Sequence, residues 1–163
     1  MLFITAIPLT KQKFKEFGNV LETEGNGYFE INNGMCRRFD SLANVDLDWD
    51  NAQASLSIFR SKPYKIPIQI IFVERHPLSS QAFMPLHNDP FLVVVAKNQI
   101  NDKPDEPLAF VTNGKQGVNF FKNTWHGVLT PIRKESDFLV IDRVGPKANL
   151  DEYYFSKKII ITV

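Results

Sequence analysis

The sequence predicts an all-β fold, one β-barrel or sandwich spanning residues 1–163 with one or two short helices. Three observations predict it. Short apolar runs alternate with period two, the spacing of strands. Gly, Asn, Asp and Pro punctuate them at short intervals, as turns require. Only one stretch carries helical spacing. The 14 phenylalanines add a preference for strands and for an aromatic core.

LFITAIPL opens the chain as a strand closed by Pro8. Thr10 then caps a predicted helix, TKQKFKEFGNVLE, with Phe14, Phe17 and Leu21 on one side and Gly18 as its weak point. GNG and NNG are turns that bracket the strand YFEI. SLANVDLDWDNA is expected to be a loop with a helical turn. ASLSIFRS alternates as a strand, and Ala52, Ala54, Leu56, Ile58 and Arg60 share a face. That face is expected to be an inward row ending in Arg60.

From Lys65 the alternation is strong. Ile66, Ile68, Ile70, Phe72, Glu74 and His76 are spaced by two and are predicted to line one interior face. PFLVVVAK is a buried strand and QINDKPDEP a polar loop. LAFVTNG, VNFFKN, HGVLTPI and DFLVIDR follow as strands. The tail YYFSKKIIITV is expected to be a last strand at a sheet edge or a subunit contact.

Length and composition fit one soluble globular domain: 44% of residues are hydrophobic and 23% charged. A net charge of +1 gives no electrostatic reason to expect nucleic acid or an acidic membrane surface. The single cysteine, Cys36, rules out an intramolecular disulfide. It lies beside Arg37 and Arg38, which would activate a thiol, but a small apolar filler is the expected role. The first residues lack the basic start and cleavage site of a secretory leader. A cytoplasmic, non-membrane protein is the resulting expectation.

Three histidines exist: His76, His87 and His126. His87 lies in a polar turn and is expected to be exposed. Glu74 and His76 end a core-facing row, where an acid and an imidazole have no packing purpose. His126 follows the turn in NTWHG. A barrel can bring Glu74, His76, Gln81 and His126 to one mouth. Asp142 and Arg143 are expected to pair and hold a strand end.

The order Glu74-Arg75-His76, Gln81, His126 resembles the cupin pattern, with Glu74 in place of its first histidine and Gln81 in place of its glutamate. Two imidazoles, a carboxylate and an amide make a weaker metal site than three imidazoles and a carboxylate. More closely, FEINNGMCRRFDSLA, ERHPLSSQAFMPL, FLVVVA, DKPD, AFVTNGKQGVNFFKNTWHGVL and DFLVIDR resemble the ureidoglycolate lyase family. These stretches fall in order between about residues 29 and 143, and the last twenty residues match poorly.

The resemblance implies a cupin-like double-stranded β-helix or jelly-roll barrel, usually a homodimer. The implied enzyme is a carbon–nitrogen lyase of the amidine-lyase type, cleaving (S)-ureidoglycolate to glyoxylate and urea in purine breakdown. It implies Glu74, His76 and His126 as acid and base groups. Gln81 would bind substrate, with Asn32 a further contact, and Arg60, Arg38 or Arg143 would take the substrate carboxylate. The residues require no cofactor, although nickel is attributed to the family. A divalent metal would bind Glu74, His76, Gln81 and His126. Two other readings fit a barrel of this kind: a non-enzymatic cupin domain that binds a small carboxylate, and a metal-dependent enzyme of other specificity.

Overall fold

A computed structural model describes all of residues 1–163. Strands dominate, and the one helix is a single turn. The sequence-predicted strand LFITAIPL divides into β1 (Leu2–Thr5) and β2 (Ile7–Pro8). The helix α1 spans only Lys11–Phe14, with the Thr10 hydroxyl accepting from the Lys13 amide. The predicted second half of that helix is β3 (Gly18–Leu21). Gly18 is the reason: a Cβ there would lie 2.0 Å from the Asn119 carbonyl oxygen, so the residue serves a close strand contact.

The other strands are β4 (Phe29–Ile31), β5 (Cys36–Arg38), β6 (Gln53–Ser61), β7 (Ile68–Arg75), β8 (Gln81–Pro85) and β9 (Phe91–Ala96). They continue as β10 (Leu108–Val111), β11 (Gly117–Phe120), β12 (Trp125–His126), β13 (Thr130–Pro131), β14 (Ser136–Val144) and β15 (Asp151–Thr162). The predicted loop 41–52 is irregular and contains no helix.

An eight-stranded sheet runs β1-β15-β7-β12-β9-β10-β2, with β13 beside β9. Its two ends, β1 and β2, are separated in the chain by Ala6 alone, so the sheet curls back on itself into a nearly closed barrel. A five-stranded sheet, β3-β11-β8-β14-β6, packs against its outside. The result is the cupin-like all-β architecture the sequence predicts. The strands β4 and β5 pair only with each other.

Two cores lie back to back. Inside the curl, Ile68, Ile70, Leu92, Val94, Ala109, Ile159 and Ile161 pack together. Between the sheets lies a larger cluster that includes Phe14, Phe83, Val93, Val95, Phe110, Val118, Phe120 and Phe138. Alternating residues of β9 thus serve both cores, which explains its unbroken apolar run.

Three expectations are corrected. The tail is no edge strand: β15 lies between β1 and β7, because Ile159 and Ile161 are needed inside the curl. The β6 row is not interior either. Leu56 and Ile58 are 72% and 57% exposed, and Arg60 shares their outer face. Ser55, Ser57 and Phe59 face the inter-sheet core instead, since Ser57 pairs with Val140 and Phe59 with Phe138.

The row from Ile66 to His76 is also broken. Ile68 and Ile70 lie inside the curl, but Val73 rather than Phe72 continues on that side, with Ala96 and Trp125. The alternation slips between Ile71 and Val73. The partner strand β15 shifts register at the same place, between Tyr154 and Ile159. The slip turns Glu74 away from the isoleucines and towards the second sheet.

Candidate active site

Glu74 pairs directly with His126, and His126 with Val95 of the inter-sheet core. The end of β7 and the two-residue strand β12 therefore present an acid and an imidazole to the gap between the sheets. Across that gap β8 contributes Gln81, on the same face as Phe83, and β14 contributes Asp142, on the same face as Val140. The loop after β7 brings His76 between them. Ligand atoms of Glu74, His76 and His126 lie within 4.8 Å of one another.

Each side chain is held differently. His126 is 1% exposed, and its ring stacks on Phe120 at 4.2 Å with an interplanar angle of 5°. Its Nδ1 faces the Gly127 carbonyl oxygen at 3.0 Å, so Nδ1 carries the proton and donates. Nε2 is then a bare lone pair, buried and without a partner. Burial, with His76 nearby, pushes the His126 pKa down to about 3. The ring is therefore neutral at physiological pH.

His76 lies 5.2 Å from His126 between ring centres. Its Nδ1 is 2.7 Å from the Asn149 carbonyl oxygen and its Nε2 is 3.1 Å from Gln81 Oε1. A ring with a proton on each nitrogen satisfies both acceptors. The Gln81 amide donates on its other side to Asp142. Asn149 fixes the loop as well, accepting from the Leu78 amide and donating to Ser79 Oγ.

Glu74 and Asp142 both have carboxyl pKa values raised, in each case first by burial and against the pull of His76. No Lys or Arg contributes at either acid. An open cleft of about 370 Å³ leads to the group, lined by Phe59, Arg60, Tyr64, Glu74, Gln81 and Leu129. A separate cleft bordered by Lys11, Lys15, Asn19 and Asp40 holds none of these groups.

The structure thus brings together Glu74, His76, Gln81 and His126. It leaves the predicted arginines outside. Arg60 lies at the rim but is held by Asp137 through Nε at 2.8 Å and Nη2 at 2.9 Å. Arg143 is on the opposite face of β14 from Asp142 and donates to the Asp48 carbonyl oxygen. The expected Asp142–Arg143 pair does not form, because adjacent strand residues point to opposite faces. Arg38 pairs with Asp40 on the β4–β5 hairpin, and Asn32 is in that hairpin's turn with φ 54°. His87 is half-buried against Phe138 rather than exposed, and Cys36 is exposed rather than a core filler.

Two residues escaped sequence reasoning. Asp142 was findable: it keeps phase with Phe138 and Val140 in DFLVIDR. Asn149 was not, since it acts from an irregular loop without a motif.

The donor set fits a divalent metal in one respect: the bare, buried Nε2 of His126 is the kind of atom a cation would use. Glu74, His76 and His126, with Gln81 beside them, are the residues that would hold it.

Residues 1–162 match the family model described as ureidoglycolate lyase, so the match includes the tail. A protein of Chelativorans sp. (strain BNC1) named ureidoglycolate lyase is 51% identical over 152 residues, 93% of this chain and 92% of its own length. Ureidoglycolate lyases of Mesorhizobium japonicum and Pseudomonas syringae pv. tomato are 45% and 47% identical, each over 96% of this chain and over 95% and 92% of their own lengths. With a barrel of the expected kind, a polar group at the expected strand ends and a match along nearly its full length, this chain belongs to the ureidoglycolate lyase family.

Proposed function

We propose that the protein is a carbon–nitrogen lyase of the amidine-lyase type that cleaves (S)-ureidoglycolate to glyoxylate and urea in purine breakdown. The observation that carries this reading is the convergence of Glu74, His76 and His126 at the end of a cleft, in a chain of this family. Its lone exposed Cys36 is consistent with work in a reducing cytoplasm, and a homodimer is the proposed assembly.

The substrate carries a hydroxyl, a carboxylate and a ureido nitrogen on one carbon. Cleavage removes the hydroxyl proton, forms the aldehyde C=O, breaks the C–N bond and protonates the departing nitrogen. No water is consumed. Glu74 takes the hydroxyl proton; burial raises its pKa and so its strength as a base. His76 delivers a proton to the urea nitrogen. His126 serves as a hydrogen-bond acceptor through Nε2. It has no proton to deliver, since burial holds its pKa near 3 and keeps the ring neutral, and its one N–H is engaged by Gly127. Gln81 orients His76 and offers its amide to a substrate oxygen. A divalent cation held by Glu74, His76 and His126 would supply polarisation of the substrate hydroxyl.

The test is a product assay on chelator-treated protein given ureidoglycolate, with urea, glyoxylate and ammonia followed together. Equal urea and glyoxylate without ammonia is the expected result. Ammonia release would replace elimination with hydrolysis of the ureido group.

A further inference from the structure

We infer that Arg143 and Asn149, neither of which lines the cleft, are positioning residues that aim the His76 ring from behind through a run of hydrogen bonds across three laced loops. The inference rests on the lyase reading and deepens it, because it assigns the aim of the imidazole to residues outside the cleft.

His76 lies one residue beyond the end of β7, so no ladder bond of that strand fixes its ring. The loops do. Leu78 is the hub: its N–H donates to Asn149 Oδ1 at 2.7 Å, and its carbonyl accepts from the Asp48 N–H at 2.8 Å. The Asp48 carbonyl in turn accepts from Arg143 Nε at 3.0 Å. At the other end the Asn149 carbonyl accepts from His76 Nδ1 at 2.7 Å. Arg143, Asp48, Leu78, Asn149 and the imidazole thus form one run.

Further bonds lock the run from both sides. Asn149 Nδ2 donates to Ser79 Oγ at 2.9 Å. The Ser80 N–H donates to the Asp46 carbonyl at 2.7 Å, and the Ser80 hydroxyl accepts from the Asp46 N–H at 3.0 Å. Lys122 binds Asp48, and the next residue, Asn123, donates its N–H to the His76 carbonyl at 2.9 Å. Lys147 ties the loop of Asn149 to Asp50. Irregular segments bonded this densely hold a reacting group to a narrow geometry.

Arg143 has no other task in the fold. It is 8% exposed, its Nη2 is buried without a partner, and its one hydrogen bond goes to a carbonyl. A buried guanidinium is costly, and an ordinary strand end needs none. Asp48 and Asp50 feel its charge, but Lys122 and Lys147 bind them. What Arg143 holds is the segment that holds Leu78. The far end of the run has a chemical consequence. A carbonyl only accepts, so Nδ1 of His76 keeps its proton there and Nε2 is the nitrogen left for Gln81 and the substrate.

The experiment reads turnover and the His76 ring in Arg143→Met, Asn149→Ala and Asn149→Asp. Methionine keeps the apolar stem and removes the donor. Lost aim lowers kcat about tenfold to a hundredfold in Arg143→Met and Asn149→Ala while KM stays level. Asn149→Asp recovers most of that loss, because a carboxylate accepts from the Leu78 amide and the Ser79 hydroxyl turns to donate. With histidine nitrogens labelled for magnetic resonance, the His76 Nδ1 proton exchanges slowly in the wild type and fast in the two defective variants. The His126 Nδ1 proton, on the Gly127 carbonyl, is the internal standard and stays slow. An unchanged His76 signal in Asn149→Ala, or a raised KM at level kcat in Arg143→Met, overturns the inference. If Arg143→Met does not fold, the two Asn149 variants decide. The ring signal needs no substrate. A wild type that leaves ureidoglycolate untouched sinks the lyase reading alone, and a His76 proton freed in Asn149→Ala still upholds the positioning.

Discussion

Two neighbouring dipeptides, Glu74-Arg75 on β7 and Trp125-His126 on β12, point their members to opposite sides of one sheet. On one side Arg75 donates to Asp102 at 2.6 and 2.7 Å and to Asp151 at 2.9 Å, and its guanidinium lies 4.4 Å above the Trp125 ring. On the other side Glu74 is half-buried with no Lys or Arg beside it, and His126 has a buried nitrogen bonded to nothing. The same strands thus carry a charge whose partners are in place and two groups whose partners are missing. A buried polar atom without a partner costs about 1–3 kcal/mol. A fold that tolerates that cost on one face while satisfying the charge on the other marks the first face as the place where a ligand belongs.

The comparison is sharpest under substitution. Glu74→Gln keeps the shape and removes the base, so kcat/KM should fall by about 10²–10⁴ while Tm stays level or rises, the buried unpaired carboxyl being gone. Arg75→Ala should do the reverse. It removes the ion pairs and the contact with Trp125, and a loss of about 2 kcal/mol would lower Tm by roughly 4–8 °C with little change in turnover at permissive temperature. A rate collapse in Arg75→Ala at a temperature where it stays folded would break the division between the two faces.

Asp142→Asn probes the partnered edge of the site. It weakens the hold on the Gln81 amide and so the aim of His76, for a loss of about tenfold in kcat at an unchanged Tm. The smallest effect is on stability against pH. Arg75 holds the Asp102 carboxyl below its ordinary value. A depressed folded pKa adds stability above the unfolded value, and that stability is lost as pH falls through the folded one. Asp102→Asn should therefore flatten the acid limb of the Tm-against-pH curve and leave the neutral region nearly unchanged.

The fold class was legible because period-two alternation and turn residues survive any tertiary arrangement. Which face lies inside was not. Leu56 and Ile58 look like core residues, yet they face outward, and the serines of β6 face in. Glu74 was singled out by a row that does not exist and was assigned to the wrong face: the slip near Phe72 sends Ile70 and Glu74 to different cores. A strand's phase is readable locally, whereas a bulge is set by the partner strand, here at Tyr154 to Ile159. The histidines and Gln81 stood out because polar groups at the end of an apolar run have few structural uses. Asn149 contributes its backbone carbonyl to His76, and a carbonyl leaves no trace in the sequence.

The place of β15 between β1 and β7 bears on how the chain is made. β1 leaves the ribosome long before residues 159–162, its neighbour in the sheet. Until then the curl has a gap one strand wide, with Leu2, Ile4, Ile68 and Ile70 facing the space that Ile159 and Ile161 will fill. The five-stranded sheet depends on nothing beyond β14 and can pair earlier. A nascent chain stalled short of β15 therefore carries an open apolar trough, the kind of surface that chaperones hold. Loss of the β15 codons would strand the product in that state.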